Sequence, residues 1–207
     1  MTLIVLLDYL GVALFAATGA LSASRREIDL VGFMFLAAVT GTGGGTIRDL
    51  ILGVPVFWVV QPVYILVCAG TAVLVYLTAH LIEYRYRLLM WLDAVGLAAY
   101  AVFGAYKGLT ITGSPVVAVV MAMMTGTLGG IMRDVLANEP SVLLRKEIYV
   151  TAAMAGGIGY VLGAMAGLPP PLPSAIGFVL ALGIRSCGLA LGWAMPVYRS
   201  RPGRHIP

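Results

Sequence analysis

Apolar residues fill this chain in seven blocks, each long enough to cross a lipid bilayer, which takes about 20 mostly apolar helical residues. The blocks run over residues 2–22, 29–51, 62–82, 89–107, 113–136, 148–167 and 172–195. Short connections carry the turn formers and the charge, among them Ser24-Arg25-Arg26-Glu27, the stretch from Gly108 to Pro115, and Pro169-Pro170-Pro171. The pattern predicts an all-α integral membrane protein of seven transmembrane helices, with residues 1–207 forming a single membrane domain.

Two of the blocks are interrupted by the same polar motif. Residues 40–49 read TGTGGGTIRD and residues 125–134 read TGTLGGIMRD, an offset of 85 residues. At that offset Asp8 matches Asp93, Gly11 matches Gly96, Gly19 matches Gly104, Pro55 matches Pro140 and Tyr64 matches Tyr149. The chain is therefore a duplication, with repeat 1 over about residues 2–82, repeat 2 over about 89–167 and an extra helix over about 172–195. Three spans per repeat is an odd number, so the second copy enters the membrane from the opposite side. The expected result is an inverted 3+3 repeat with its site near the midplane, an architecture common among transporters.

Composition and charge sharpen this picture. The chain is 60% hydrophobic and 11% charged with a mean hydropathy of +0.98, whereas about a quarter of an ordinary soluble domain is charged. Seven spans divide the loop charges unevenly. Arg25, Arg26, Arg85, Arg87, Arg145, Lys146, Arg199, Arg201 and Arg204 fall on one side and Lys107 alone on the other. The positive-inside rule puts the nine in the cytoplasm, the N-terminus outside and the C-terminus inside. The net charge of +4 reflects these loops, so no nucleic-acid surface is expected. The apolar N-terminus has no preceding Lys or Arg, which argues against a cleaved signal peptide.

The glycines Gly41, Gly43, Gly44, Gly45, Gly126, Gly129 and Gly130 weaken their spans, since each interior glycine costs a helix about 1 kcal/mol relative to alanine. They predict kinked or broken second and fifth spans facing each other, with close helix packing as the alternative. A break would leave free carbonyls around Val39 to Thr42 and Met124 to Thr127, which favour a cation. It would also leave free N–H groups near Thr46 and Met132, which with Arg48 or Arg133 favour a carboxylate. The motif by itself fits either.

Arg48, Arg133 and Arg185 lie inside spans, where ionisable groups face the bundle interior and pair. Arg48 need not pair with its neighbour Asp49; by depth, Asp8 is expected to reach Arg48 and Asp93 to reach Arg133. These pairs either line or gate a polar path or simply stitch spans together. Arg185 pairs with a repeat acid, lines the same cavity or pins the seventh span. Lys107 is a snorkelling interfacial lysine or a plug at an outer mouth. The small-residue faces Gly159, Gly163, Gly167 and Gly188, Gly192 suit helix packing within or between subunits. Trp58, Trp91 and Trp193 sit near span ends as interfacial anchors. Cys68 and Cys187 read as buried small hydrophobes, and His80 and His205 are isolated at cytoplasmic edges. No nucleophile–base pair, phosphate loop or metal spacing occurs, so neither an enzyme nor a cofactor is expected.

The doubled signature GGGTIRD (43–49) and GGIMRD (129–134), on three-plus-three-plus-one spans, resembles the prokaryotic members of the trimeric intracellular cation (TRIC) channel family. The resemblance covers nearly the whole chain. It implies a homotrimer in a prokaryotic inner membrane, each subunit with its own pore for potassium and also sodium. That pore would run through kinked second and fifth spans, at Gly43, Gly44, Gly45, Gly129 and Gly130. Thr40, Thr42, Thr125 and Thr127 hydroxyls would replace some hydration. Asp8, Arg48, Asp49, Asp93, Lys107, Arg133, Asp134 and Arg185 would line or gate the path. The partners are then further copies of the chain, membrane lipid and transient monovalent cations, with no bound metal. Animal members carry a different, lysine-containing motif at these positions and bind a phosphoinositide there, and this chain lacks that motif. Related bacterial proteins are often labelled glycine transporters, which fits the carboxylate reading. A cation channel is the leading expectation, a small amino-acid transporter the second and a structural scaffold the third.

Overall fold

The computed structural model describes residues 3–82, 84–142 and 148–195. Arg145, Lys146, Arg199, Arg201, Arg204 and His205 lie outside the described residues. The described residues form α1 (Leu3–Arg25), α2 (Leu30–Ile51), the short α3 (Phe57–Val60), α4 (Val63–Thr78), α5 (Arg85–Thr112), α6 (Pro115–Leu136), α7 (Val150–Met165) and α8 (Leu172–Leu191). Among them are no strands. All but α3 correspond to the seven expected spans. Six are long and apolar enough to cross a membrane, and α7 is a shorter apolar helix of 16 residues.

The boundaries differ from expectation chiefly in α5. The apolar block at 89–107 is extended at both ends into a helix of 28 residues. At the basic end Arg85 donates from Nε to the Ala79 carbonyl (2.9 Å) and from Nη1 to Ser24 Oγ (3.0 Å), so the charged turn is anchored rather than frayed. At the other end Gly113 closes the helix in the left-handed conformation (φ 66°), which a glycine adopts without strain.

The two copies begin and end their central helices alike. Asp29 caps α2 by accepting from Gly32 N (2.7 Å), and Ser114, at the same repeat position, caps α6 by accepting from Val117 N (3.4 Å). Past the ends, Gly53 (φ 66°) and Asn138 (φ 52°) occupy equivalent left-handed positions, the two residue types that tolerate that region best.

Helices α1, α2 and α4 pack as one unit, and α5, α6 and α7 as the other. The units meet where two helices pack on their own counterparts, α1 on α5 and α2 on α6. Helix α8 packs against α5 and α7. The burial pattern is that of a membrane protein. Val31, Leu66, Val116 and Val179 are each at least 66% exposed, whereas Arg48, Asp49, Asp93, Arg133, Asp134 and Arg185 are buried. Apolar side chains face lipid and the intramembrane charges face the bundle.

Candidate functional site

The site is built on the crossing of α2 and α6. A Cβ added at Gly44 would stand 2.6 Å from the Thr125 carbonyl oxygen, and one added at Gly129 would stand 2.5 Å from the Thr40 carbonyl oxygen. Position 44 maps onto 129 and 40 onto 125, so one contact is made twice about the pseudo-twofold axis. The same reciprocity holds at the flanks. Gly19 lies under Leu36 O and the Thr40 hydroxyl, and Gly104 lies under Met121 O and the Thr125 hydroxyl.

The expected break is not present. Helical structure runs unbroken from Leu30 to Ile51 and from Pro115 to Leu136, so no half-helix termini form at mid-span. Gly44 and Gly129 instead let two backbones touch. Gly43, Gly45 and Gly130 lie under the Met132 sulfur, the Phe57 ring and the Tyr149 hydroxyl. The threonines also turn inward upon their own helices. Thr40 donates to Leu36 O (2.6 Å), Thr42 to Ala38 O (2.7 Å) and Thr127 to Met123 O (2.8 Å). Such bonds to the preceding turn bend helices. Thr125 Oγ1 is buried without a hydrogen-bond partner among the described residues.

A cluster of charge sits at each end of this crossing. At the α2 end Arg48 Nε donates to Asp49 Oδ1 (2.7 Å), and Lys107 Nζ reaches the same oxygen at 2.8 Å. The Phe57 N–H donates to Asp49 Oδ2 (3.0 Å). The Arg48 guanidinium lies over the Phe103 ring at 4.9 Å, and its two Nη atoms have no hydrogen-bond partner among the described residues. Asp8 accepts from the Tyr64 hydroxyl through Oδ2. Thus the expected Asp8–Arg48 pair is replaced by Asp8–Tyr64 and Arg48–Asp49. The long arginine chain folds back on its own neighbour, which spacing on a helix surface did not suggest. Lys107 is no free snorkelling group either. Helix α5 continues past it to Thr112, and its ammonium turns inward to Asp49.

At the α6 end the pairing is complete for the arginine. Arg133 Nη1 donates to Asp93 Oδ1 (2.8 Å) and to Thr18 Oγ1 (3.0 Å). Its Nε and Nη2 both donate to Asp134 Oδ1, at 3.0 and 2.9 Å. The Val142 N–H donates to Asp134 Oδ2 (2.8 Å), matching Phe57 N on Asp49 at the repeat offset. Tyr149 donates to Asp93 as Tyr64 does to Asp8. Arg185 donates from Nη1 to Ile148 O (3.1 Å) and lies 5.0 Å over the Tyr149 ring, tying α8 to the start of α7.

The repeats therefore share a scaffold, and two side-chain differences separate the arginine clusters. Thr18 binds Arg133 where its counterpart Phe103 offers Arg48 only a ring face, and Ser22 stands opposite Lys107 in the repeat register. Thr18 and the ring residues Phe57 and Phe103 carry no signal in the sequence: Thr18 and Phe103 are small or apolar residues in apolar spans, and Phe57 is an apolar residue in a connection. Tyr64 and Tyr149 were visible as an 85-residue match.

A further asymmetry lies between α1 and α5. Tyr100 donates to Gly41 O (2.8 Å), and its repeat counterpart is Phe15, whose ring it contacts with centroids 5.4 Å apart. Tyr100→Phe is expected to lower stability by about 1 kcal/mol, the net worth of one buried hydrogen bond. Thermal unfolding in detergent would register it. An unchanged midpoint would mean that the Gly41 carbonyl finds another donor.

An α-helical membrane protein built from two inverted three-span units, with buried Arg–Asp clusters flanking a glycine-mediated crossing, belongs to the transport-type class of inverted-repeat proteins. A family model described as glycine transporter matches the chain twice, over residues 5–80 and 90–165, one match per repeat. The chain belongs to that family, and prokaryotic TRIC channels are among the solved structures it resembles. It is similar to the TRIC trimeric intracellular cation channel orthologue from Rhodobacter sphaeroides, with 49% identity and a TM-score of 0.91 over 93% of this chain and 100% of that one. A prokaryotic TRIC channel crystallised in 0.5 M KCl superposes with a TM-score of 0.86 at 27% identity, over 93% of this chain and 98% of that one. Among curated proteins, the UPF0126 inner membrane protein YadS of Escherichia coli is 39% identical over 93% of this chain and 94% of its own length. A UPF0126 membrane protein of Vibrio cholerae is 44% identical over 76% of this chain and 66% of its own length.

Proposed function

We propose that the protein is a monovalent cation channel, conducting potassium and also sodium, that works as a homotrimer with one pore per subunit along the α2–α6 crossing. The observation that carries this reading is the 49% identity to a TRIC cation channel orthologue across 93% of the chain. In this reading residues 1–207 act as one membrane domain, in a prokaryotic inner membrane with the N-terminus outside. The buried Thr125 hydroxyl, which lies against Gly104 of α5 and has no hydrogen-bond partner among the described residues, is a spare polar group beside the path. The Lys107–Asp49 and Arg133–Asp93–Asp134 clusters set the charge at its two mouths. A fixed cation at a mouth opposes cation entry, and a freed carboxylate favours it.

Bilayer recording of the purified, reconstituted protein tests the proposal. Unitary currents that reverse at the potassium equilibrium potential are expected. Saturable uptake of labelled glycine without such currents would replace this reading with the second one, a small amino-acid transporter. Two observations favour that second reading: the family description, and the buried Arg48 guanidinium whose Nη atoms remain able to receive a carboxylate.

Lys107→Gln provides a finer test. Removing the ammonium leaves Asp49 with a single positive partner. Single-channel conductance is expected to rise severalfold in dilute KCl. The gain should vanish at 1 M salt, where the screening length falls from about 10 Å at 0.1 M to about 3 Å. A conductance change that is independent of salt would mean that Lys107 acts by shape rather than charge.

A further inference from the structure

We propose that the basic end of α5 is a binding site for an anionic phospholipid, its phosphate held by arginines and one acyl chain laid along α5. Two adjoining cavities carry this. The first, of about 640 Å³, is lined by Arg25, His80, Tyr84, Arg85, Tyr86 and Arg87. The second, of about 520 Å³, is an apolar groove lined by Ile82, Tyr84, Arg87, Leu88 and Trp91. They share Ile82, Tyr84 and Arg87, so a charged chamber opens directly into an apolar trough. From Arg87 to Trp91 the helix climbs about 6 Å, the step from headgroup level to the upper acyl chain.

The arginines of the chamber are in different states. Arg85 is committed to Ala79 O and to Ser24. Arg25 is bridged to Glu139 at 2.9 Å and stacked over the Tyr86 ring at 4.7 Å. Arg87 is exposed and makes no salt bridge among the described residues. It is also the charged residue common to both cavities. A guanidinium in that position can take a phosphate while the chain below it enters the groove. Tyr84, 67% exposed, and Trp91, 40% exposed, flank the entrance as interfacial residues do. This end of the bundle carries Arg25, Arg26, Arg85 and Arg87, the charge excess that the positive-inside rule assigns to the anionic leaflet. A soluble anion would have no use for the groove, and a neutral lipid would have none for the chamber. The site shares no residue with the α2–α6 crossing, so it stands or falls separately from the channel proposal.

Trp91 reports on the groove directly. Trp58→Phe and Trp193→Phe in the full chain leave it as the remaining one of three tryptophans. This protein is reconstituted in phosphatidylcholine vesicles containing either phosphatidylglycerol or phosphatidylcholine with brominated chains. Brominated phosphatidylglycerol is expected to quench Trp91 at about one fifth of the mole fraction that brominated phosphatidylcholine needs. Arg87→Gln should erase that preference, a loss of about fivefold for one interfacial arginine. Arg87→Lys should keep most of it. Arg87 is exposed, so neither change disturbs the fold, and native mass spectrometry of the tryptophan-intact protein gives an independent count of retained phosphatidylglycerol. Equal quenching by the two lipids, or a preference unchanged by Arg87→Gln, would overturn the proposal. So would loss of the effect in millimolar inorganic phosphate, which would assign the chamber to a soluble anion.

Discussion

Arg133→Ala is expected to abolish accumulation of the folded protein, whereas Arg48→Ala should leave it assembled. The two arginines occupy equivalent positions in the repeat, and the sequence offers no reason to separate them. Their surroundings do. Arg133 is the shared counter-charge of Asp93 and Asp134, both buried, and it also binds Thr18. Truncating it strands two carboxylates inside the bundle, and breaking a buried pair from one side costs about 3–5 kcal/mol. That is a large share of the roughly 5–15 kcal/mol that holds a domain folded. Among the described residues Arg48 makes one hydrogen bond, to Asp49, which keeps Lys107 and the Phe57 N–H when Arg48 is gone. Its loss should cost on the order of 1 kcal/mol, typical of single substitutions, and be felt in conductance. Detergent-extracted yield and size-exclusion profile, followed by bilayer recording of the surviving variant, measure both. Equal yields for the two would show that the clusters bear structural stress alike. Arg133→Lys should fall between, since an ammonium supplies one point charge where the guanidinium reaches both acids.

The second large effect is expected at the crossing itself. Gly44→Ala and Gly129→Ala should each destabilise the protein by about 1–3 kcal/mol, the usual range for overpacking a tight core. In each case the new methyl group meets a backbone oxygen of the other helix, at 2.6 and 2.5 Å, and a backbone cannot swing aside as a side chain does. Either α2 and α6 part along their length or the helix is forced to bend. Gly70→Ala is the matched control. It also lies inside a helix, α4, but its added Cβ would meet nothing within 4 Å, so it should be neutral or stabilising by up to about 1 kcal/mol. Thermal unfolding of the three variants under one detergent condition decides it. A Gly44→Ala protein as stable as Gly70→Ala would mean the two helices are not held in contact.

Much of this architecture is legible in the sequence because a bilayer simplifies the problem. Block length marks the spans, and the match of Asp8, Tyr64 and Arg48 to Asp93, Tyr149 and Arg133 marks the inverted duplication. The partners of the charges were not legible. Depth along the spans paired Asp93 with Arg133, and the structure has that bond at 2.8 Å. The same argument paired Asp8 with Arg48, where Tyr64 takes Asp8 instead. Depth fixes height in the membrane but not the azimuth of a side chain, and an arginine long enough to curl onto its own neighbour escapes any rule based on helix faces. The glycines misled in a related way. Three in succession weaken an isolated helix, but a helix wedged against its partner is held by packing, so the expected break became a close approach. The inward turn of Lys107 is not legible for a related reason: Gly108 reads as a turn residue that ends the span, yet it lies buried within α5 against Ala118 and Met121.

The reciprocal contacts at Gly44 and Gly129 also bear on descent. A lone three-span unit that inserted in both orientations could meet an upside-down copy of itself and form every one of these contacts between separate chains. Joining the copies in one polypeptide removes the need for equal numbers of each orientation. It also frees each half to change without the other, and Thr18 against Phe103, Ser22 against Lys107 and Phe15 against Tyr100 are among the places where the halves differ. What remains under joint constraint is the backbone seam, where a side chain gained by one half is a collision for both.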